Sequence, residues 1–468
     1  MVTAKVREHA AGGSEGVKHT SATGLKSHPI GFWFIFSGEL AERCSYYGMR
    51  AILALYMTSV LGFSDGQASR IMAFFIAGCY LLPLAGGWVA DNLLGKYWTI
   101  VGFSLPYILG HVILGIEQTP FLFLALVLLA MGSGVIKPNI STLMGLTYDQ
   151  QRPGREQLRS DAFAMFYGAV NIGAAISSFA MPWIRDRFDY QIAFLFPAGL
   201  MVLAFAFFAA GKPFYATEVI VRRHKSPQER REQWQVLSRL FGIFIVVAFF
   251  WTIFDQAPST WTFFARDHLD RRIFNFSFLP SSLRDYTLAP DQLQALNPVL
   301  IILLLPLVTL TWHGLAKLGL PLLATSKMMI GFILTGICMG IMSVAGFLAG
   351  DGTVWVWWEV VAYVLITVAE ICISVVGLEL SFSAAPKAMK SFVAACWLLA
   401  VFVGNMINVL VTPYYETVNP GTYFGLMTLI MVPVTLAFAL VARWFNAGTP
   451  QVVAPEPKAE PLAETTPV

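Results

Sequence analysis

Charge is scarce in this chain. Of its 468 residues only 13% are Asp, Glu, Lys or Arg, against 56% hydrophobic, and a soluble domain normally carries about 25% charged residues to cover its surface. The mean hydropathy of +0.64 and the polar shortage together exclude an ordinary soluble protein. Net charge is also low, at +3, too little for a nucleic-acid-binding surface. Cysteine is sparse. Cys44, Cys79, Cys338, Cys372 and Cys396 all lie in apolar runs, without the spacing of a disulfide framework or a metal site, and read as small core residues. The first 28 residues contain no apolar stretch, so no cleavable leader is expected. No nucleophile–base set or metal-ligand cluster stands out, so an enzyme is not expected and no cofactor is implied.

What the chain does have is long apolar runs, such as 121–131, 193–210 and 299–308. Runs of about 20 apolar residues span a bilayer, and as helices they satisfy their own backbone there. We count about twelve, near 29–61, 68–91, 98–116, 120–146, 160–184, 190–211, 239–265, 291–317, 325–350, 355–382, 388–412 and 422–446. An all-α integral membrane fold follows. Its expected layout is a disordered tail (1–28), a six-helix bundle (29–212), a linker with a short helix (213–238), a second six-helix bundle (239–446) and a disordered tail (447–468). In the linker, Ser226, Pro227 and Glu229 read as an N-cap, a first-turn proline and a capping box. The linker is too short for an extra pair of spans.

Lysine and arginine set the orientation. Lys5, Arg7, Lys18 and Lys26, the pair Arg152 and Arg155, the group Arg222, Arg223, Lys225, Arg230 and Arg231, and the pair Lys387 and Lys390 fall on one side if both termini are cytoplasmic. Arg185, Arg187, Arg266, Arg271, Arg272 and Arg284 oppose the trend, but most sit beside an aspartate.

Ionisable residues inside spans carry the functional signal, because each costs roughly 2.5–3.5 kcal/mol on insertion scales. Glu39, Glu42, Arg43, Tyr46 and Arg50 share one face of the first span at steps of three and four. Lys137 lies deep in the fourth, before the helix-loosening Pro138. Asp255 lies in the seventh, one turn after Trp251 and shortly before Pro258. Glu370 lies in the tenth, one turn before Ser374. Glu359 is nearer a span end and reads as interfacial, His111 reads as a satisfied core histidine, and Asp91 reads as a capping or gating residue. Gly132 and Gly134 read as small residues for close helix packing. The buried cations belong to the first half, whereas Asp255 and Glu370 belong to the second. A cleft between the halves would be positive on one wall and negative on the other. That suits a zwitterion such as a short peptide or an amino acid, and Tyr46, Tyr47, Tyr80, Trp251 and Trp397 are available for its pockets.

These residues also form recognisable motifs. Glu39, Glu42 and Arg43 in an ExxER arrangement, continued by 44–50, resemble the signature of the proton-dependent oligopeptide transporters, the peptide transporter family of the major facilitator superfamily. Segments 86–95, 134–139, 166–173, 294–298 and 370–377 resemble that family's further motifs in the same order. The resemblance covers about 30 to 445 and implies a major facilitator fold and proton-driven uptake of di- and tripeptides. It implies that Arg43 and Lys137 hold the peptide carboxylate and Glu370 the amino terminus. Asn171 and Asn297 would bind polar groups, and Tyr46, Tyr80, Trp251 and Trp397 would shape pockets. Tyr47 and Ser374 complete the candidate binding set. Glu39 and Glu42 would pair with Arg43 and Lys137 in proton coupling, and Asp255 would pair with Arg50. Asp255 stands where many bacterial members have glutamate, so that pair is expected to be weaker or closer. Cys44 replaces the usual phenylalanine. The partners implied are peptides, protons and membrane lipid, for a carrier working as a monomer in a bacterial inner (plasma) membrane. A carrier of nitrate, another small anion or a drug, and a peptide sensor that does not transport, remain alternatives.

Overall fold

The computed structural model describes residues 25–218, 226–278, 280–384 and 390–448. Both expected tails in large part, the linker cations Arg222, Arg223 and Lys225, and Lys387 lie outside the described residues. Twelve long helices dominate: α1 (Ile30–Ser59), α2 (Asp65–Leu94), α3 (Lys96–Leu114), α4 (Thr119–Gln151), α5 (Glu156–Arg187), α6 (Tyr190–Ala210), α7 (Pro227–Phe254), α8 (Pro290–Lys317), α9 (Ala324–Ala349), α10 (Trp357–Ser381), α11 (Lys390–Val411) and α12 (Pro420–Gly448). All but α1 contain a stretch long and apolar enough to cross a membrane. The ionisable side chains of α1 turn inward instead. Exposed leucines and phenylalanines such as Leu303, Leu310, Phe347, Leu429 and Leu440 ring the outside, as lipid-facing surface requires. The chain is a multi-pass membrane protein of the major facilitator fold.

Local chemistry sets the helix ends. Ser64 accepts from the Gln67 backbone N–H and starts α2 with a capping box. Asp189 caps α6 through the Ile192 N–H at 2.7 Å. The helix that begins at Pro227 does not stop as a separate linker element. It continues as α7 to Phe254, because nothing between its capping pattern and the apolar run breaks a helix. Beyond Phe254 the helix pauses at Asp255 and Gln256 and resumes through a π turn (Ala257–Trp261) and Thr262–His268. In α10 a second π turn, Ile371–Val375, begins directly after Glu370. Each of the two isolated acids of the second half is therefore followed by a local widening of its helix, a feature that concentrates at functional sites.

Helices α1–α6 pack chiefly among themselves, as do α7–α12. Close approach within the first set depends on the small residues of α4. A Cβ at Gly132 would overlap Tyr107 of α3, and one at Gly134 would lie 2.8 Å from Leu82 Cβ of α2. Between the sets the main contacts are α2 with α11 and α5 with α8.

The hydrogen bonds and ion pairs that cross between the sets concentrate on the face carrying the α1–α2, α5–α6, α7–α8 and α11–α12 connections. Arg266 pairs with Asp65 at 2.7 Å, and Arg185 pairs with Asp291. Glu416 accepts from Ser64 Oγ at 2.7 Å and from the Gly66 N–H at 2.9 Å. Gln294 Nε2 donates to the Ala51 carbonyl at 3.0 Å. Arg50 meets Asp255 deeper in. At the opposite face, where α1 begins and α12 ends, no such bond joins the two sets among the described residues. On the latched face a two-residue parallel ladder, β1 (Leu269–Asp270) with β2 (Val354–Trp355), ties the α7–α8 and α9–α10 loops together.

Candidate functional site

A central cavity of about 140 Å³ lies between the two helix sets. From the first set it is lined by Tyr47, Arg50, Tyr80, Tyr167 and Asn171, and from the second by Trp251, Asp255, Asn297, Tyr363 and Glu370, among others. The 3.6-residue period of α1 explains the first wall. It lays Glu39, Glu42, Arg43, Tyr46 and Arg50 along one buried face, with Tyr47 and Arg50 reaching the cavity.

Behind that wall Arg43 is 1% exposed. Its Nε lies 3.1 Å from Glu39 Oε1, and it also contacts Glu42. Glu42 in turn accepts from the Tyr107 hydroxyl at 3.0 Å. Arg43 Nη2 and Glu39 Oε2 have no hydrogen-bond partner among the described residues. The cluster therefore keeps a free donor and a free acceptor in a place where unmet polar groups are costly.

Lys137 departs from expectation. Among the described residues it forms no ion pair within 4.0 Å with the acids of α1. Its ammonium lies 4.6 Å from the Tyr80 ring centroid and 3.5 Å from the Tyr80 hydroxyl. The α1 acids are already engaged by Arg43, which leaves the lysine on the aromatic face. Asn139, two residues on, donates to the Gly86 carbonyl of α2 at 3.2 Å and anchors this part of α4 beside the proline.

The second wall is acidic. Asp255 sits where α7 pauses and is 5% exposed. Its Oδ1 lies 3.5 Å from Arg50 Nη2, and its Oδ2 accepts from Asn405 Nδ2 of α11 at 2.7 Å. Glu370 accepts from Asn297 Nδ2 at 2.8 Å, and the same amide donates to Thr367 Oγ1 at 3.2 Å. Arg50 of the first set thus faces Asp255 and Glu370 of the second across one space, with Tyr47, Tyr80, Tyr167, Trp251, Phe254, Trp261 and Tyr363 as its aromatic lining.

Of the residues singled out in the sequence, Tyr47, Arg50, Tyr80, Asn171, Trp251, Asp255, Asn297 and Glu370 come together at the cavity. Glu39, Glu42, Arg43, Tyr46, Lys137, Ser374 and Trp397 do not line it. Tyr46 is packed under Arg43 and against Tyr47. Trp397 stands edge-on to Phe244, 5.9 Å between ring centroids. Ser374 lies in the π turn past Glu370. Asn405, Gln294, Tyr167 and Tyr363 were not among the candidates, although Tyr167 and Gln294 lie in the motif segments 166–173 and 294–298. His111 is a core group: Ser45 donates to the Pro197 carbonyl at 2.9 Å, so His111 Nε2 is the donor in its 2.8 Å contact with Ser45 Oγ. Asp91 pairs with Lys96 at 3.0 Å on a largely exposed turn. Glu359, expected at the interface, is instead completely buried. It faces the interior because it lies on the same helical stripe as Ala362, Tyr363 and Ile366.

A family model described as the POT family matches residues 97–225 and 216–426. Solute carrier family 15 member 2 of Mus musculus is 31% identical over 360 residues, 66% of this chain and 48% of its own. Solute carrier family 15 member 1 of Homo sapiens is 28% identical over 380 residues, covering 68% and 52%. The chain spans about half the length of these curated relatives. Among solved structures, an auto-inhibited POT family peptide transporter superposes with a TM-score of 0.78 at 26% identity, covering 89% of this chain and 97% of the other. A POT family transporter crystallised in meso gives 0.79 at 27% identity, covering 90% and 99%.

Proposed function

The chain belongs to the POT family, and from that premise we propose that it is a symporter coupling proton influx to uptake of di- and tripeptides by alternating access. The observation that carries the reading is the charge division of the cavity, with Arg50, and Arg43 behind it, on the first set and Asp255 and Glu370 on the second. A zwitterionic peptide can bridge such walls, while an inorganic anion has no use for Glu370.

In this reading Arg43 and Lys137 receive the peptide carboxylate and Glu370 its ammonium. Asn171 and Asn297 bind polar groups, and Tyr46, Tyr47, Tyr80, Trp251, Ser374 and Trp397 shape the side-chain pockets. For those not lining the cavity, engagement requires the bundles to move. The units that rock are the bundles 29–212 and 239–446. Both termini lie in the cytoplasm of a cell inner membrane, and the carrier acts as a monomer in lipid. The latched face is then extracellular, and the cleft in this conformation is committed to the inside.

Coupling runs through the two walls. A proton on Asp255 removes the charge that holds Arg50 and loosens the deepest tie between the bundles. Glu39 and Glu42 set the charge state around Arg43 and Lys137. Each proton moving inward down the membrane potential supplies about 2.3 kcal/mol per 100 mV.

The test is dialanine uptake into proteoliposomes with and without an inward proton gradient. Gradient-dependent accumulation inhibited by dipeptides and not by free alanine is expected. Binding without accumulation would replace the carrier with a sensor. Nitrate uptake in place of dialanine uptake would replace the substrate.

A further inference from the structure

Glu359 takes no part in the cavity, yet it is the most isolated carboxyl in the described residues. It lies three turns before Glu370 on α10 and on the same face, since eleven residues bring a helix back to within about 20° of its starting direction. Its side chain is fully buried, and neither oxygen has a hydrogen-bond partner among the described residues. The titratable groups close enough to act on it are Cys338 from α9, Tyr363 on α10 itself and Tyr415 from the turn after α11. Cys338 is occupied in donating to the Ala362 carbonyl at 3.2 Å. From α7, Trp261 packs edge-on against Tyr363 at 5.1 Å. Helix α8 gives Asn297 to Glu370 and no titratable group to Glu359. Among the described residues no cation acts directly on this carboxyl. An ionised form here would be shut off from bulk solvent and, among the described residues, would meet neither donor nor counter-charge, so the carboxyl fits this space as the neutral acid.

Its position ties it to the latch. The buried Tyr415 hydroxyl, itself without a hydrogen-bond partner among the described residues, is within electrostatic reach both of Glu359 and of Asp65, Asp267 and Arg266. The Arg266–Asp65 pair that holds α2 against α7 therefore stands one tyrosine away. When the latch parts, water reaches this layer of the second bundle and an ionised carboxyl becomes tolerable.

We propose that Glu359 is a second proton-binding site of the carrier, neutral while the latched face is closed and ionised when that face opens to water. Closing the outside then requires a proton here, independently of Asp255. The inference rests on the alternating-access reading, though not on the identity of the substrate.

The experiment is infrared spectroscopy of the full chain in liposomes, following the carbonyl band of protonated carboxyls across the neutral pH range. Glu359→Gln assigns the band by its loss, and Glu359→Asp assigns it by a shift should the glutamine variant not insert. In the wild type the band persists to alkaline pH. In an Asp65→Asn/Asp291→Asn variant, with the latch broken, it is expected to vanish at least one pH unit lower, about a tenfold change in proton affinity. A band that ignores the latch, or no assignable band, overturns the proposal. Dialanine uptake by the wild type is read in parallel. If it fails, the peptide reading falls while the infrared result still decides this one.

Discussion

Asn405 holds one oxygen of Asp255 at 2.7 Å within the second bundle, while Arg50 of the first bundle stands 3.5 Å from the other. The shorter contact thus lies within the second bundle, and the longer one is the tie that would part if the bundles rock. A short aspartate side chain positioned by an amide explains this geometry. The carboxylate is drawn toward α11 and meets the arginine only at arm's length.

Asp255→Asn should abolish the charge without removing the amide-sized side chain. Proton-driven accumulation is expected to fall by about tenfold or more, equivalent to ~1.4 kcal/mol, while peptide exchange across the membrane without a gradient survives. Equal loss of both in paired uptake and counterflow assays would place Asp255 in substrate binding instead.

Asn405→Leu removes the donor from the ionised carboxylate, and a hydrogen bond to a charged group contributes roughly 1.5–3 kcal/mol. Losing it favours the protonated form, so the pH profile of uptake should move to the alkaline side by about one unit. An unmoved profile would show that Arg50 alone sets the proton affinity, and a shift to the acid side would show that Asn405 favours the protonated form.

The two peripheral ion pairs of the latch differ in burial, and that decides which matters. The Arg266 and Asp65 side chains are 33% and 21% exposed, whereas Arg185 and Asp291 are 10% and 0% exposed. Pairs open to solvent contribute about 0.2–1 kcal/mol, but removing one partner of a buried pair costs roughly 3–5 kcal/mol. Asp186 still contacts Arg185 at 2.8 Å and reduces that penalty. Asp291→Asn should therefore expose engineered cysteines in the cavity to impermeant outside reagents far more than Asp65→Asn does. The reverse order would locate the main latch at α2–α7.

The spans were legible because apolar length is a property of sequence alone. Asp255 and Glu370 were legible for a related reason: a charge in an apolar run announces itself. Asn405, Gln294 and Tyr363 gave no such signal, since uncharged polar and aromatic residues are common in membrane helices and become informative only when a neighbouring helix places something against them. Tyr46 and Tyr47 are adjacent, and only packing tells that the second meets the cavity. Lys137 was visible as a cation, but its Tyr80 partner comes from another helix. Glu359 was misplaced because its distance along the chain from a loop says nothing about cover from the helices packed on α10, α9 above all.

Glu370 offers the most selective chemical test of the peptide reading. If its carboxylate, steadied by Asn297, receives the peptide ammonium, the wild type should prefer dialanine to N-acetyl-dialanine, which lacks that charge. Glu370→Gln keeps the shape and the Asn297 contact but removes the counter-charge. Dialanine affinity should then fall by about ten- to a hundredfold, since a charge-assisted hydrogen bond contributes roughly 1.5–3 kcal/mol. Affinity for the acetylated peptide should barely change, so the preference collapses. Competition of both peptides against labelled dialanine in wild type and variant measures this directly. If the variant weakened both peptides alike, Glu370 would be holding the helices around the π turn rather than the substrate. If the preference survived intact, the ammonium would have to be sought at Asp255, the only other carboxylate lining the cavity among the described residues.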